Sequence, residues 1–248
     1  MSTYGLRRFT DHKDAGTPYE LDRTHIAVRL GTSLFREGRL QSARFAKEPL
    51  LKTGHHNRKI GKEIVKGKWK GFPVFTLTLE ERATCPRSCA HWRNCYGNKM
   101  NWPTRFMADA ALIPKLDREL SDLAMSIPRF VVRLHVLGDF FSVAYVNQWE
   151  RWLDRFPGLH VYGYTAWQSN TSIGKAIDRL ATERWDRFAV RTSNGFSDRR
   201  TTRTIYDATA SGTRDDGIVC PVQTGKTECC ATCGLCWQTQ KRILFLAH

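Results

Sequence analysis

The clearest alternation of apolar and polar positions begins at Pro73. Pro73-Val-Phe-Thr-Leu-Thr-Leu79 alternates and is rich in β-branched residues, which predicts a strand. Over residues 109–125, Leu112, Leu116, Leu120 and Leu123 recur at helical spacing, with Pro114 tolerable in the first turn. Phe130–Val136 predicts a second strand, ended by Gly138-Asp139. Residues 144–156 then place Tyr145, Trp149, Trp152, Leu153 and Phe156 on one helical stripe, which reads as a core face. His160–Thr165 predicts a third strand, Ile173, Ala176, Ile177 and Leu180 another helix, Arg187–Thr192 a fourth strand and Gly217–Pro221 a short fifth. Strands alternating with helices of this length predict an α/β fold of right-handed βαβ units, with a parallel sheet or barrel.

The first 50 or so residues show no comparable periodicity. Glycines at 54, 61, 67 and 71 break the following segment, which predicts a loop or β-ribbon. The chain therefore divides into a basic N-terminal extension, 1–71, and an α/β barrel-like domain, 72–248. A length of 248 residues, 41% of them hydrophobic, suffices for one substantial core.

Charge changes the picture. The formal net charge is +15, with a pI near 9.7, and such a surface attracts polyanions. Six cations, Arg58, Lys59, Lys62, Lys66, Lys68 and Lys70, face the single acid Glu63 within 54–71. Lysines there could hold phosphates while a base stacks on Trp69; a solvated lysine-rich hairpin is the plainer reading. Arg199, Arg200 and Arg203 extend the charge into a second loop. Nucleic acid or a nucleotide is thus the expected partner. The polar N-terminus lacks a signal-peptide core, and no apolar run reaches a membrane span, so a cytoplasmic protein without a membrane partner is expected. In that compartment thiols stay reduced, and grouped cysteines suggest metal.

Eight cysteines fall into two groups. Cys85, Cys89 and Cys95 follow the first strand. Three thiolates on one loop fall short of a tetrahedral zinc site but suit a [4Fe–4S] cluster with one iron open; His91 as a fourth ligand is the zinc alternative. The second group is Cys220 with Cys229, Cys230, Cys233 and Cys236. Its C-x2-C-x2-C run has ferredoxin-like spacing, with Cys220 as fourth ligand and Cys229 as the spare. Functional residues of parallel α/β folds gather at the carboxyl ends of strands, which is where every cysteine is expected. Asp139, after the second strand, is either a site residue or the N-cap of the helix over 142–155. Arg191 and Ser193, at the end of the fourth strand, are candidate phosphate or cofactor ligands. Arg133 is a candidate carboxylate or phosphate ligand or a surface pair, and His135 reads as a satisfied core histidine.

NRKIGK from Asn57, TLTLEERATCPRSC, CYGNKM, HVLGDFF and the late cysteines together resemble the phage and prophage family called gene product 88. The layout also resembles radical S-adenosylmethionine enzymes, which implies a partial (β/α) barrel of mostly parallel strands. By that resemblance Cys85, Cys89 and Cys95 hold the catalytic cluster, while Gly138 and Asp139 stand where the family's acidic segment meets the methionine amino group. It further implies an auxiliary C-terminal cluster and a reductant such as a flavodoxin or ferredoxin. Here the spacing is C-x3-C-x5-C, and a single glycine precedes the acid. Together these features lead to the expectation of an iron–sulfur enzyme acting on a nucleotide or nucleic acid. The alternative is a non-catalytic, metal-stabilised nucleic-acid-binding protein.

Overall fold

The computed structural model describes residues 20–195, 199–206 and 217–247. Two short helical segments, α1 (Ile26–Leu30) and α2 (Arg36–Arg39), lead into β1 (Leu40–Gln41), which pairs in parallel with β4 (Arg105–Phe106). The main sheet comprises β2 (Lys52–Thr53), β3 (Val74–Thr76), β5 (Phe130–Leu134), β6 (Leu159–Thr165), β7 (Phe188–Ser193), β8 (Thr201–Ile205), β9 (Ile218–Val219) and β10 (Ile243–Leu246). Its spatial order is β2-β3-β5-β6-β7-β8-β10-β9, and every pairing is parallel except β2 with β3. The fold is therefore α/β with an eight-stranded, mostly parallel sheet. Among the described residues no pairing closes it into a barrel.

From β3 to β8 each new strand joins beside the last, and the three long helices lie between successive strands. These are α3 (Leu112–Ser126), α4 (Val143–Arg155) and α5 (Ser172–Glu183). With crossovers of one hand, such an order stacks all the helices on one face. Leu116, Trp149, Trp152 and Leu180 accordingly share one core with Phe130, Val132, Leu134, Val161 and Val190. Ser142 caps α4 by accepting from the Tyr145 N–H (3.1 Å), and Thr171 caps α5 by accepting from Gly174 (3.0 Å).

The alternate strand residues face the other way, and no long helix covers them. Val74, Val131, Tyr162, Ala189 and Ile243 pack against Ile60, Ile64, Trp69, Phe72, Cys220, Cys236 and Trp237. The glycine-broken 54–71 stretch and the C-terminal cysteine loop thus form the second layer of the molecule. That loop contains two single-turn helices, α6 (Cys230–Cys233) and α7 (Leu235–Gln238). The four longer strands and three helices expected from periodicity are present. The expected fifth strand is β9, but it lies at the sheet edge, outside β8 and β10.

Candidate metal centres

Beyond β3 the chain stays extended, then turns into the first cysteine loop. Three consecutive charged residues, Glu80, Glu81 and Arg82, anchor that loop from inside. Glu81 pairs with Arg105 at 2.7 Å with both side chains 1% exposed or less, and it accepts from the Ser33 hydroxyl. Arg105 also donates to the carbonyls of Gly97, Met100 and Pro103. Arg82 donates to the carbonyls of Trp92 and Thr32 and to the Asn98 side chain. Charges buried this deeply persist when paired and hydrogen-bonded: Glu80 accepts from the Ser33 N–H and pairs with Arg36, Glu81 has Arg105 and Ser33, and the two arginines donate to carbonyls in and around the loop. The tripeptide in front of Cys85 therefore braces the cysteine loop. An acid pair followed by arginine directly after a strand is the signal that sequence reading passed over.

Gly138 brings the end of β5 against this loop. Its φ is +81°, and a Cβ there would lie 2.6 Å from Thr84 Oγ1 and 2.7 Å from Leu79 Cβ, so glycine is required. The approach lets the Asp139 N–H donate to Thr84 Oγ1 (3.0 Å). The Asp139 carboxylate is buried and accepts from the Phe140 and Ala166 N–H groups, both at 2.7 Å. It thereby straps the end of β5 to the end of β6, while Ser142 holds the N-cap position that was the alternative for Asp139. Burial outweighs these hydrogen bonds and pushes its carboxyl up to about 7. The Cys85, Cys89 and Cys95 thiols are pushed up by burial too, Cys95 to about 12; Asp139 lies within electrostatic reach of Cys85 and Cys89. As free groups these thiols stay protonated and weakly nucleophilic.

His91, on the same loop, reaches across the strand ends. Its Nε2 lies 3.0 Å from Thr204 Oγ1 on β8 and 3.3 Å from Asn194 Nδ2. That ring nitrogen is engaged with β8.

In the second cysteine group Cys220 directly follows β9, as expected, whereas the loop with Cys229, Cys230, Cys233 and Cys236 packs over the sheet face opposite α3, α4 and α5 instead of at a strand end. The reason is the N-terminal segment that holds it there. Cys230 and Ala231 donate backbone N–H groups to the Lys59 and Ile60 carbonyls (2.8 and 2.9 Å), and the Val65 N–H returns a bond to Ala231 (3.2 Å). Gly61 sits so close that a Cβ would lie 2.7 Å from Cys229 Sγ. Tyr164 donates its hydroxyl to Cys236 Sγ (2.8 Å). Cys230 and Cys236 are pushed up by burial, Cys236 to about 11, and Cys220 lies within electrostatic reach of Cys230, Cys233 and Cys236.

Three sequence expectations change here. Trp69 offers no face to a base: it is 4% exposed, stacks on Trp237 (5.4 Å, 5° between planes) and donates Nε1–H to the Asp186 carbonyl. Arg191 binds no phosphate: it is fully buried and donates to the carbonyls of Cys236, Thr239 and Lys241, pinning the C-terminal loop to β7. Lys59 and Lys66 lie within electrostatic reach of Cys230 and Cys233, so they belong to the surroundings of the second group. Arg58, Lys62, Lys66, Lys68 and Lys70 are exposed, as a polyanion contact requires. Ser193 ends β7 half-buried, its carbonyl taken by Gln168 Nε2 (3.3 Å). In the other basic loop Arg200 pairs with Asp178. His135 is buried, as expected, with Nε2 3.2 Å from the Tyr145 hydroxyl, but its Nδ1 has no partner.

All eight cysteines are free thiols. Among the described residues no group of three or more His, Cys, Asp or Glu side chains is arranged to hold a metal ion. No described helix is long and apolar enough to cross a membrane.

Fold and site define a class: an α/β protein with a mostly parallel main sheet, a braced cysteine loop at its strand ends and a second cysteine loop over the face opposite its three long helices. The model of the gene product 88 family matches residues 49–239, more than half of the chain, so the chain belongs to that family. Searches of curated proteins and of solved structures returned no match.

Proposed function

We propose that the chain is an iron–sulfur protein, a phage or prophage product that performs radical or redox chemistry on a nucleotide or nucleic acid. Cys85, Cys89 and Cys95 hold one [4Fe–4S] cluster, and Cys220, Cys230, Cys233 and Cys236 hold another. The observation that carries the reading is the disposition of the thiols. Eight free cysteines form two distinct groups, each inside a loop braced by buried charge or backbone hydrogen bonds. Arg133 acts electrostatically on Tyr96 beside the first group and on Cys230 of the second. Soft thiolate donors suit iron–sulfur clusters, and a bound metal keeps such thiols ionised despite their burial. A four-iron cluster also sets its ligands further apart than a lone ion does.

The finer part of the proposal is a partial barrel of the radical S-adenosylmethionine kind. Its support is the sequential strand order, the helices on one face, and the reach of His91 from the loop after β3 to β8. Bound at the first group, a cluster would supply an open iron and an electron, the latter from a flavodoxin- or ferredoxin-type reductant. Asp139 would hold the cofactor's amino group by a charge-assisted bond, and Gly138 would let the β5 end close on the cluster loop. A second reading, a metal-stabilised nucleic-acid-binding protein without catalysis, is favoured by one observation: the basic segment is bonded directly to the second cysteine loop.

Paired substitutions test the proposal. Under anaerobic reconstitution, Cys85→Ala with Cys89→Ala should remove about half the iron, and Cys233→Ala with Cys236→Ala the other half. Loss of all iron from either folded pair would replace two clusters with one. The reduced wild type should also convert S-adenosylmethionine to methionine and 5′-deoxyadenosine, taking up one electron and one hydrogen atom. Iron without S-adenosylmethionine binding would leave the metal-stabilised binding protein as the better reading.

A further inference from the structure

Among the described residues Arg82, Arg105 and Arg191 are buried, and all three are fully committed. Arg82 donates through Nε, Nη1 and Nη2, and so do Arg105 and Arg191. Arg133 differs. It stands on β5 with its guanidinium over the rings of Tyr162 (5.5 Å) and Tyr164 (4.6 Å), so its plane is fixed. Nη1 is tethered to the Leu134 and His135 carbonyls, which aims the group toward the carboxyl end of the strand. Nε and Nη2 have no partner among the described residues, and Arg133 belongs to none of the ion pairs there. The residue is half-buried, and neither nitrogen is among the buried polar atoms that lack a partner, so the unused edge meets solvent instead of a core.

A partly desolvated guanidinium held rigid without a counter-ion is costly unless something completes it. Its free edge presents two parallel N–H donors, the geometry that a carboxylate or phosphate accepts bidentately. We infer that Arg133 is an oxyanion-binding residue that docks a carboxylate or phosphate of a ligand at this open edge, by the carboxyl end of β5. The tyrosines position it, and the tether at Nη1 leaves the other two nitrogens for the ligand. This site needs no metal at either cysteine group.

Thermal melting at constant ionic strength tests it on the full chain, with pyrophosphate and succinate as probes and chloride as balance. A ligand that binds the folded state raises Tm with concentration, which yields an apparent Kd. At least one probe should stabilise the wild type, and which one does so separates phosphate from carboxylate recognition. Arg133→Gln should weaken that binding by about tenfold or more, the worth of a charge-assisted hydrogen bond. Arg133→Lys retains the charge and loses the fork, so it should also weaken binding, and it decides the matter if the glutamine variant fails to fold. Arg118→Gln with Lys175→Gln, on the exposed faces of α3 and α5, should leave the Kd unchanged. Equal binding by wild type and Arg133→Lys would overturn the proposal, as would a wild type stabilised by neither probe. Oxyanion binding in a protein that takes up no iron would sink the cluster reading and leave this one standing.

Discussion

Two side chains in the middle of the molecule carry the clearest consequences at the residue scale. His135 is buried beside Arg133, and desolvation with that neighbouring cation pushes its imidazole down to about 3. The unfolded chain takes up a proton near the ordinary histidine value, whereas the folded chain refuses it until far lower pH. His135 therefore favours folding fully above about pH 6.5, and that contribution is lost as pH falls toward 3, by up to about 1.4 kcal/mol per unit. Comparing Tm against pH for wild type and His135→Asn should show a shallower acid decline in the variant; parallel curves would mean that the ring is hydrated. Asp139 shows how far a sequence can be read. Its place after a strand marked it as special, yet its role as a strap depends on the neighbouring strand β6, which ends just before Ala166, 27 residues later in the chain. Arg191 was equally noticeable, but its partners stand 45 to 50 residues further along the chain.

Among the elements, periodicity identified those with a strong apolar face and missed those without one. The helices α3, α4 and α5 were legible because leucines, tryptophans and isoleucines recur on a single stripe. The strand β8, Thr-Thr-Arg-Thr-Ile, carries no such signal, and β10 is four residues close to the chain end. The basic segment was legible as charge but not as a layer, because its bonds to the cysteine loop run through backbone groups. That distinction can be measured. Replacing the exposed Lys62, Lys68 and Lys70 with glutamine should lower affinity for a single-stranded oligonucleotide and reduce the salt slope by about 2, with little change in stability. Trp69→Ala should act oppositely, costing about 3–5 kcal/mol of stability through its lost stack on Trp237, with an unchanged salt slope. A Trp69→Ala variant that melts like the wild type yet binds less tightly would restore the base-stacking role.

For the whole molecule, one sheet separates two environments: a helical layer that is ordinary core, and a second layer made of the basic segment and the late cysteines. The first cysteine loop closes the strand ends beside them. The family match runs from residue 49 to 239 and so includes the basic segment, the braced loop, Gly138-Asp139 and every cysteine. The proposed function fills both cysteine groups with clusters and assigns the polyanion to the exposed cations Arg58, Lys62, Lys66, Lys68 and Lys70. The arrangement depends on the metal, and stoichiometry tests it most directly. Protein purified and handled without oxygen should contain iron and acid-labile sulfide in equal amounts, about eight of each per chain for two filled clusters. Zinc at one or two per chain, with no sulfide, would contradict it.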